Sequence, residues 1–150
     1  MRAVIQKVKK SAVYIDGKCH ASIGHGLNIL LGIEDSDTEE DIDWLCKKII
    51  NLRIFEDEND VMNLSVSDIH GEILVISQFT LFASTKKGNR PSYIRASKGD
   101  FAEPMYNKFI SKLELYFGNY IKSGIFGGSM DIEIINEGPT TILIDTHNKE

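Results

Sequence analysis

The chain has 150 residues, a net charge of −5 and 42% hydrophobic residues, ordinary proportions for a globular protein. They exclude a disordered or collagen-like polypeptide, and no apolar run is long enough to form a bilayer-spanning helix. The expectation is one domain over residues 1–150, able to bury about two-thirds of its unfolded surface.

From the N-terminus, Val4 to Ile15 reads as a strand, Asp16-Gly17 as a hairpin turn and Lys18 to Ile23 as the return strand. Arg2, Lys7, Lys9 and Lys10 are spread along the strand-like start, which lacks the apolar core of a signal peptide and leads to a cytoplasmic expectation. Leu27 to Ile33 is a further apolar strand. Thr38 caps a helix with Glu39, Glu40 and Asp41 in its first turn, where the helix dipole favours anions. Ile42, Leu45, Cys46, Ile49 and Ile50 form its apolar stripe; Trp44 falls off it, at an edge or toward a partner chain.

Glu72-Ile73-Leu74-Val75-Ile76 is a continuous apolar run, suited to a strand buried on both faces. It leads into Ser77-Gln78-Phe79-Thr80-Leu81, polar residues held at the mouth of a buried strand. A second helix follows Asp100, with Met105, Phe109, Leu113, Tyr116 and Phe117 at helical spacing, Pro104 in the first turn and Gly118 as the stop. Near the C-terminus, Asn136-Glu137-Gly138-Pro139-Thr140-Thr141 separates two strands with period-two alternation. A Gly-Pro pair reads either as a simple turn or as a rigid loop holding bare carbonyl oxygens toward a ligand. Strands with two separated helices give an α+β fold with a largely antiparallel sheet.

The chemistry is notable for what is missing. There is no Gly-x-Ser-x-Gly elbow, no Ser-x-x-Lys and no His-Glu-x-x-His. His20, His25, His70 and His147 fall in turns or the tail, and Cys19 and Cys46 have no paired spacing, so neither metal, disulfide nor cofactor is expected. Thr80 as a nucleophile needs a base that the sequence does not supply. The acidic balance argues against a general nucleic-acid binder, yet Lys86, Lys87, Arg90, Arg95 and Lys98 share one segment, either a solvated loop or a phosphate-contacting patch.

Taken together, Ser77-Gln78-Phe79-Thr80-Leu81 and Asn136-Glu137-Gly138-Pro139-Thr140-Thr141 resemble the D-aminoacyl-tRNA deacylase family. Met1 to Val8, Asn51-Leu52-Arg53-Ile54-Phe55, Met62-Asn63-Leu64-Ser65, Lys87 to Ser92 and Gly124-Ile125-Phe126-Gly127 match it in the same order, over almost the whole chain. Glu137 stands where the family more often has Asp, Thr140 where it has Val or Phe, and Gly128-Ser129-Met130 replaces an Ala-containing stretch.

The resemblance implies a barrel-like sheet, an obligate homodimer with a cross-subunit active site, and hydrolysis of the ester between a D-amino acid or glycine and the 3′ end of tRNA. It implies a catalytic set of Ser77, Gln78, Phe79 and Thr80, and a substrate-binding set of Gly138, Pro139, Phe126 and Met130. Rival expectations are a non-catalytic single-stranded nucleic-acid binder stacking bases on Phe79, Tyr93 and Phe126, a general esterase acting through Thr80, and a dimeric scaffold without chemistry.

Overall fold

The computed structural model covers residues 1–150. Its strands are β1 (Arg2–Ile15), β2 (Lys18–Ile23), β3 (Gly26–Gly32), β4 (Phe55–Glu56), β5 (Met62–Leu64), β6 (Glu72–Ser77), β7 (Lys122–Ser123) and β8 (Asp131–Asp145). The helices are α1 (Glu39–Ile50) and α2 (Gly99–Phe117), and a 3₁₀ turn spans Phe79–Phe82.

β1 is the hub. Its N-terminal half pairs antiparallel with β3, Arg2 facing Gly32 and Val8 facing Gly26, and its C-terminal half pairs antiparallel with β2. β8 runs antiparallel along both halves, from Asp145 beside Arg2 to Asp131 beside Tyr14. The β1–β2 connection turns at Asp16 and Gly17, with φ of 50° and 75°, the left-handed pair that an Asp-Gly hairpin requires.

The expected largely antiparallel sheet is in fact mixed. β6 joins β3 in parallel and β7 joins β6 in parallel, giving the order β2-β1-β3-β6-β7. The reason is the length of the connections. α1 and its following loops separate β3 from β6, and α2 separates β6 from β7, so each strand can return in the same direction. The two ends of this order approach each other, and Lys122 Nζ on β7 donates to Ser22 O on β2 at 2.6 Å, leaving a nearly closed barrel.

β6 is buried on both faces, as its unbroken apolar run requires. Ile73 and Val75 join the large core beneath the helices, with Ile5, Leu27, Ile29, Leu45, Phe109 and Leu113. Leu74 and Ile76 join Val8, Val13 and Ile23 in a smaller cluster. Full burial of each such side chain contributes about 1.5–3 kcal/mol. Gly26 allows β3 to approach β6 closely: a Cβ there would lie 1.9 Å from the Glu72 carbonyl oxygen.

In α1, Ile42, Leu45, Cys46 and Ile49 are buried, whereas Ile50 is only half-buried. The Asp41 carboxylate accepts from the Thr38 N–H and hydroxyl, both at 2.9 Å. Trp44 is half-buried at the sheet edge, beneath Lys149 Nζ at 4.5 Å from the ring centre and Lys48 Nζ at 5.5 Å. α2 begins at Gly99, earlier than expected, so Pro104 stands beyond the first turn. The Phe101 and Ala102 N–H groups both reach the Lys98 carbonyl, at 3.1 and 2.8 Å, and set that earlier start. Tyr106 was not in the expected stripe but is buried, its hydroxyl donating to Val75 O at 2.8 Å.

Two predictions follow from this packing. Gly26→Ala forces the β6 backbone aside and lowers the unfolding free energy by about 3 kcal/mol, measurable by urea denaturation. Asp43, bonded by Lys47 and then by the Tyr116 hydroxyl, has its carboxyl drawn down from 3.8 to about 2. A depressed folded-state value contributes stability above the unfolded value and loses it as pH falls through the folded one. Asp43→Asn therefore flattens the stability curve between pH 3.8 and about 2 and leaves its shape at neutral pH unchanged.

Candidate active site

β6 ends at Ser77, beside Leu31 of β3, and the chain turns at once into the 3₁₀ turn. Gln78 N–H donates to Leu31 O at 2.7 Å, which fixes the start of the turn against β3. The first turn bond runs from Leu81 N–H to Gln78 O at 3.2 Å. Phe79 and Thr80, as the two opening residues, therefore have no acceptor within the turn for their own N–H groups.

A cleft of about 360 Å³ opens at this end of the barrel. Ser77, Gln78 and Phe79 form one wall, Phe126, Gly127 and Met130 another, and Ser97, Gly99 and Ala102 at the start of α2 a third. Of the expected site residues, the fold thus brings Ser77, Gln78, Phe79, Phe126 and Met130 together. No ionisable side chain lines the cleft. Phe126 is tilted on Tyr106 with ring centres 5.7 Å apart, and Gly124 makes room for Met130, whose Sδ would lie 2.6 Å from a Cβ there. Ile33 and Gly128 also line it, with the apolar β-strand residues Leu31, Ile76 and Ile132, which looked like ordinary core residues in the sequence.

Thr80 stands beside the cleft without lining it. Its hydroxyl is hydrogen-bonded to the Gln78 side-chain amide. An amide takes up no proton at neutral pH whichever way it is oriented, so this partner is not a general base.

Gly138 and Pro139 are not part of the cleft. The expected pair of strands around them is one strand, β8, interrupted by a bulge. Gln6 faces Thr141 and Val8 faces Asn136, so Lys7 alone lies opposite Glu137, Gly138, Pro139 and Thr140. The Gly138–Pro139 peptide is cis, and Gly138 has φ of +113°. Both residues are exposed, while Thr140 is buried, its Oγ1 2.7 Å from where a Gly138 Cβ would stand. This bulge sits level with the Gly26 end of β3, and the cleft with the Leu31 end. At ~3.3 Å per residue the two are about 16 Å apart along the strands of one chain.

The base of the bulge is braced on several sides. Asn136 Nδ2 donates to Thr141 Oγ1 at 2.9 Å, and the buried Lys7 ammonium bonds both Glu56 oxygens at 2.7 and 2.8 Å. His25 Nε2 lies 2.9 Å from Glu137 Oε2, with its ring edge-on to Phe55 at 5.2 Å. Sequence reading missed His25, because its only signal was a histidine in a turn and its partner is distant in the chain.

One group of side chains has metal-ligand proximity: Glu34, Asp37 and His147 place ligand atoms within 4.8 Å of one another. Asp37 is buried and already engaged, accepting from the Met1 ammonium, from Glu34 N–H at 2.8 Å and contacting His147 Nε2 at 2.9 Å. These bonds make it a junction between the chain ends and the β3–α1 loop.

Comparison with known proteins agrees with this architecture. The model of the family described as D-Tyr-tRNA(Tyr) deacylase matches residues 4–145. D-aminoacyl-tRNA deacylases of Flavobacterium psychrophilum and Parabacteroides distasonis are 61% and 59% identical over 150 residues, covering 100% of both chains in each case. Among solved structures, the c-Myc DNA Unwinding Element Binding Protein superposes with a TM-score of 0.92 at 40% identity, over 97% of this chain and 98% of that one. A structure described as "a probable eukaryotic D-amino acid tRNA deacylase" shares the fold, with a TM-score of 0.80 at 18% identity over 95% and 97% of the two chains. The chain belongs to the D-aminoacyl-tRNA deacylase family, and is accordingly a hydrolase.

If His25 braces the bulge, His25→Ala speeds amide hydrogen exchange at residues 136–141 about fivefold, the equivalent of about 1 kcal/mol for one lost hydrogen bond. Exchange in β6 stays unchanged, as mass spectrometry of the exchanged peptides would show.

Proposed function

We propose that this protein hydrolyses the ester joining a D-amino acid, or glycine, to the 3′-terminal adenosine of tRNA, and that it does so as a homodimer. Water adds to the ester carbonyl, the bond to the ribose oxygen breaks, and free amino acid and tRNA leave. The observation that carries this reading is a cleft without acid or base, beside which the Phe79 and Thr80 N–H groups have no acceptor within the 3₁₀ turn. Such a site suits a substrate that is already activated and brings a neighbouring ribose hydroxyl to help activate water. The two N–H groups would hold the oxyanion, a contribution of about 3–4 kcal/mol per well-placed donor. Ser77 and Gln78 would orient the terminal nucleotide, and Phe126 and Met130 would wall the adenosine pocket.

In this reading Gly138 and Pro139 of one protomer reach the partner's cleft, since within one chain the bulge stands level with the Gly26 end of β3 and the cleft with its Leu31 end. Their carbonyl oxygens would receive the substrate ammonium. With ammonium and ester both fixed, a D side chain points outward and an L side chain meets the loop, so hand is sorted by exclusion. Glycine has no side chain to exclude.

A second reading is favoured by one observation, the close structural likeness to a protein named for DNA binding. A non-catalytic nucleic-acid binder would retain uncharged single strands tightly and release no amino acid.

Matched D- and L-tyrosyl-tRNA decide between them. The expected result is release of D-tyrosine with L-tyrosyl-tRNA spared by at least about 100-fold; equal rates, or none, defeat the proposal. Gly138→Ala, which places a Cβ against Thr140 at a backbone angle unsuited to it, lowers kcat/KM for the D-ester by about 100-fold. Thr80→Ala retains activity within about tenfold, whereas loss of a true nucleophile would remove about 10⁴-fold or more.

A further inference from the structure

The distribution of charge around the cleft is lopsided. Between Ile73 and Gly99 there is no Asp or Glu, while Lys86, Lys87, Arg90, Arg95 and Lys98 all fall there, in a chain of net charge −5 with 22 acidic residues. This acid-free segment is tied to the cleft at both ends. It leaves from Phe79 and returns through Ser97 and Gly99, all three in the cleft wall. Its excursion is pinned where Ser84 and Ser92 exchange backbone hydrogen bonds of 2.8 and 2.9 Å, which presents Lys86, Lys87 and Arg90 on an exposed tip. Arg95 is spoken for, paired with Glu34 at 3.1 Å and lying over the Phe82 ring. The three tip cations have no acidic partner in the chain.

Between tip and cleft stand two exposed rings. Phe79, 56% exposed, and Tyr93, 38% exposed, meet edge to face with centres 5.1 Å apart. Two aromatic side chains held in water at the mouth of a polar-rimmed cleft form a preset stacking surface. Cations then follow them outward. An aromatic step succeeded by positive charge matches a single-stranded nucleic acid, in which every residue offers a π-face and an anion.

We infer that the segment from Phe79 to Lys98 is the track for the unpaired 3′ strand of tRNA: Tyr93, supported by Phe79, stacks the penultimate base, and Lys86, Lys87 and Arg90 take phosphates farther from the ester. The inference rests on the function proposed above for the cleft, and adds to it a surface outside the reaction chamber. The Tyr93 ring and the three tip cations contribute to binding the polynucleotide and nothing to the chemical step, which stays with the main chain of the cleft.

The test is a triple variant, Lys86→Gln, Lys87→Gln and Arg90→Gln, assayed beside the unaltered protein. Three substrates are used: D-tyrosyl-tRNA, the D-tyrosyl ester of a cytidine–adenosine dinucleotide, and that of adenosine alone. For the triple variant, KM for the tRNA rises at least tenfold with kcat unchanged. The slope of log(kcat/KM) against log salt shrinks by about 2, at ~0.7 per phosphate contact on a single strand. Turnover of the adenosine ester is untouched. Tyr93→Ala raises KM roughly tenfold for the tRNA and the dinucleotide ester, and leaves the adenosine ester unaffected.

Fluorescence anisotropy with an uncharged oligoribonucleotide ending in CCA reads the same surface without turnover, and its affinity falls with the triple variant. Unchanged tRNA KM, salt slope and oligonucleotide affinity in that variant overturn the track. So does an equal loss on the adenosine ester, which would place the defect in the cleft. Absence of turnover in the unaltered protein overturns the hydrolase reading and with it the track's role in catalysis, whatever the anisotropy shows.

Discussion

Between Gln6 and Val8 the antiparallel ladder joining β1 to β8 leaves one residue on β1 and four on β8. β1 cannot slide to relieve this mismatch, because its opposite edge is held by β3 along its first half and by β2 along its second. β8 cannot slide either, being paired with β1 on both sides of the mismatch. The surplus residues must leave the sheet, and they leave as an exposed Gly138-Pro139 bulge, followed by a smaller shift where Lys9 is the extra residue on β1 between Val8 and Lys10. The pair of buried Lys7 with exposed Glu56 and the His25–Glu137 contact hold its foot. Display of a stiff piece of main chain is thus a consequence of sheet pairing rather than of any single side chain.

At the Leu31 end of β3 the construction is different. β6, packed on both faces, delivers Ser77, Gln78 and Phe79 with little freedom to move, and the tight turn offers no acceptor of its own to two amide donors. The cleft it borders is apolar apart from a few hydroxyl, amide and backbone groups. Hydrogen bonds made there meet no competition from ionised side chains in the lining. Positive charge instead lies outside the cleft, on the exposed tip carrying Lys86, Lys87 and Arg90; if the proposed track is right, its long-range attraction of a polyanion acts there and leaves the cleft uncharged.

How much of this was legible beforehand varied with the range of the interaction. Asp16-Gly17, the Thr38 cap, the α1 stripe and the doubly buried β6 follow from neighbours within a few positions, and each stands where periodicity and turn chemistry put it. The mixed sheet was not legible, since the direction of β6 relative to β3 depends on how far the chain travels between them. The early start of α2 was hidden because Gly99 is a poor helix signal and its entry is set by backbone bonds to Lys98. Two strands about a loop were expected where one bulged strand exists, because the alternation on either side is the same in both cases.

What the residues alone determined was the chemistry available: a polar motif at the mouth of a buried strand, a Gly-Pro interruption and an acid-free basic segment. These are properties of composition and short spacing, readable without coordinates. Only the tertiary structure decided that Ser77, Gln78, Phe79, Phe126 and Met130 share one cleft, and that Gly138 and Pro139 stand some 16 Å of strand away from it. The reason is that position across a barrel is fixed by strand register and closure, which arise from contacts between residues far apart in the chain and leave no mark on any local pattern.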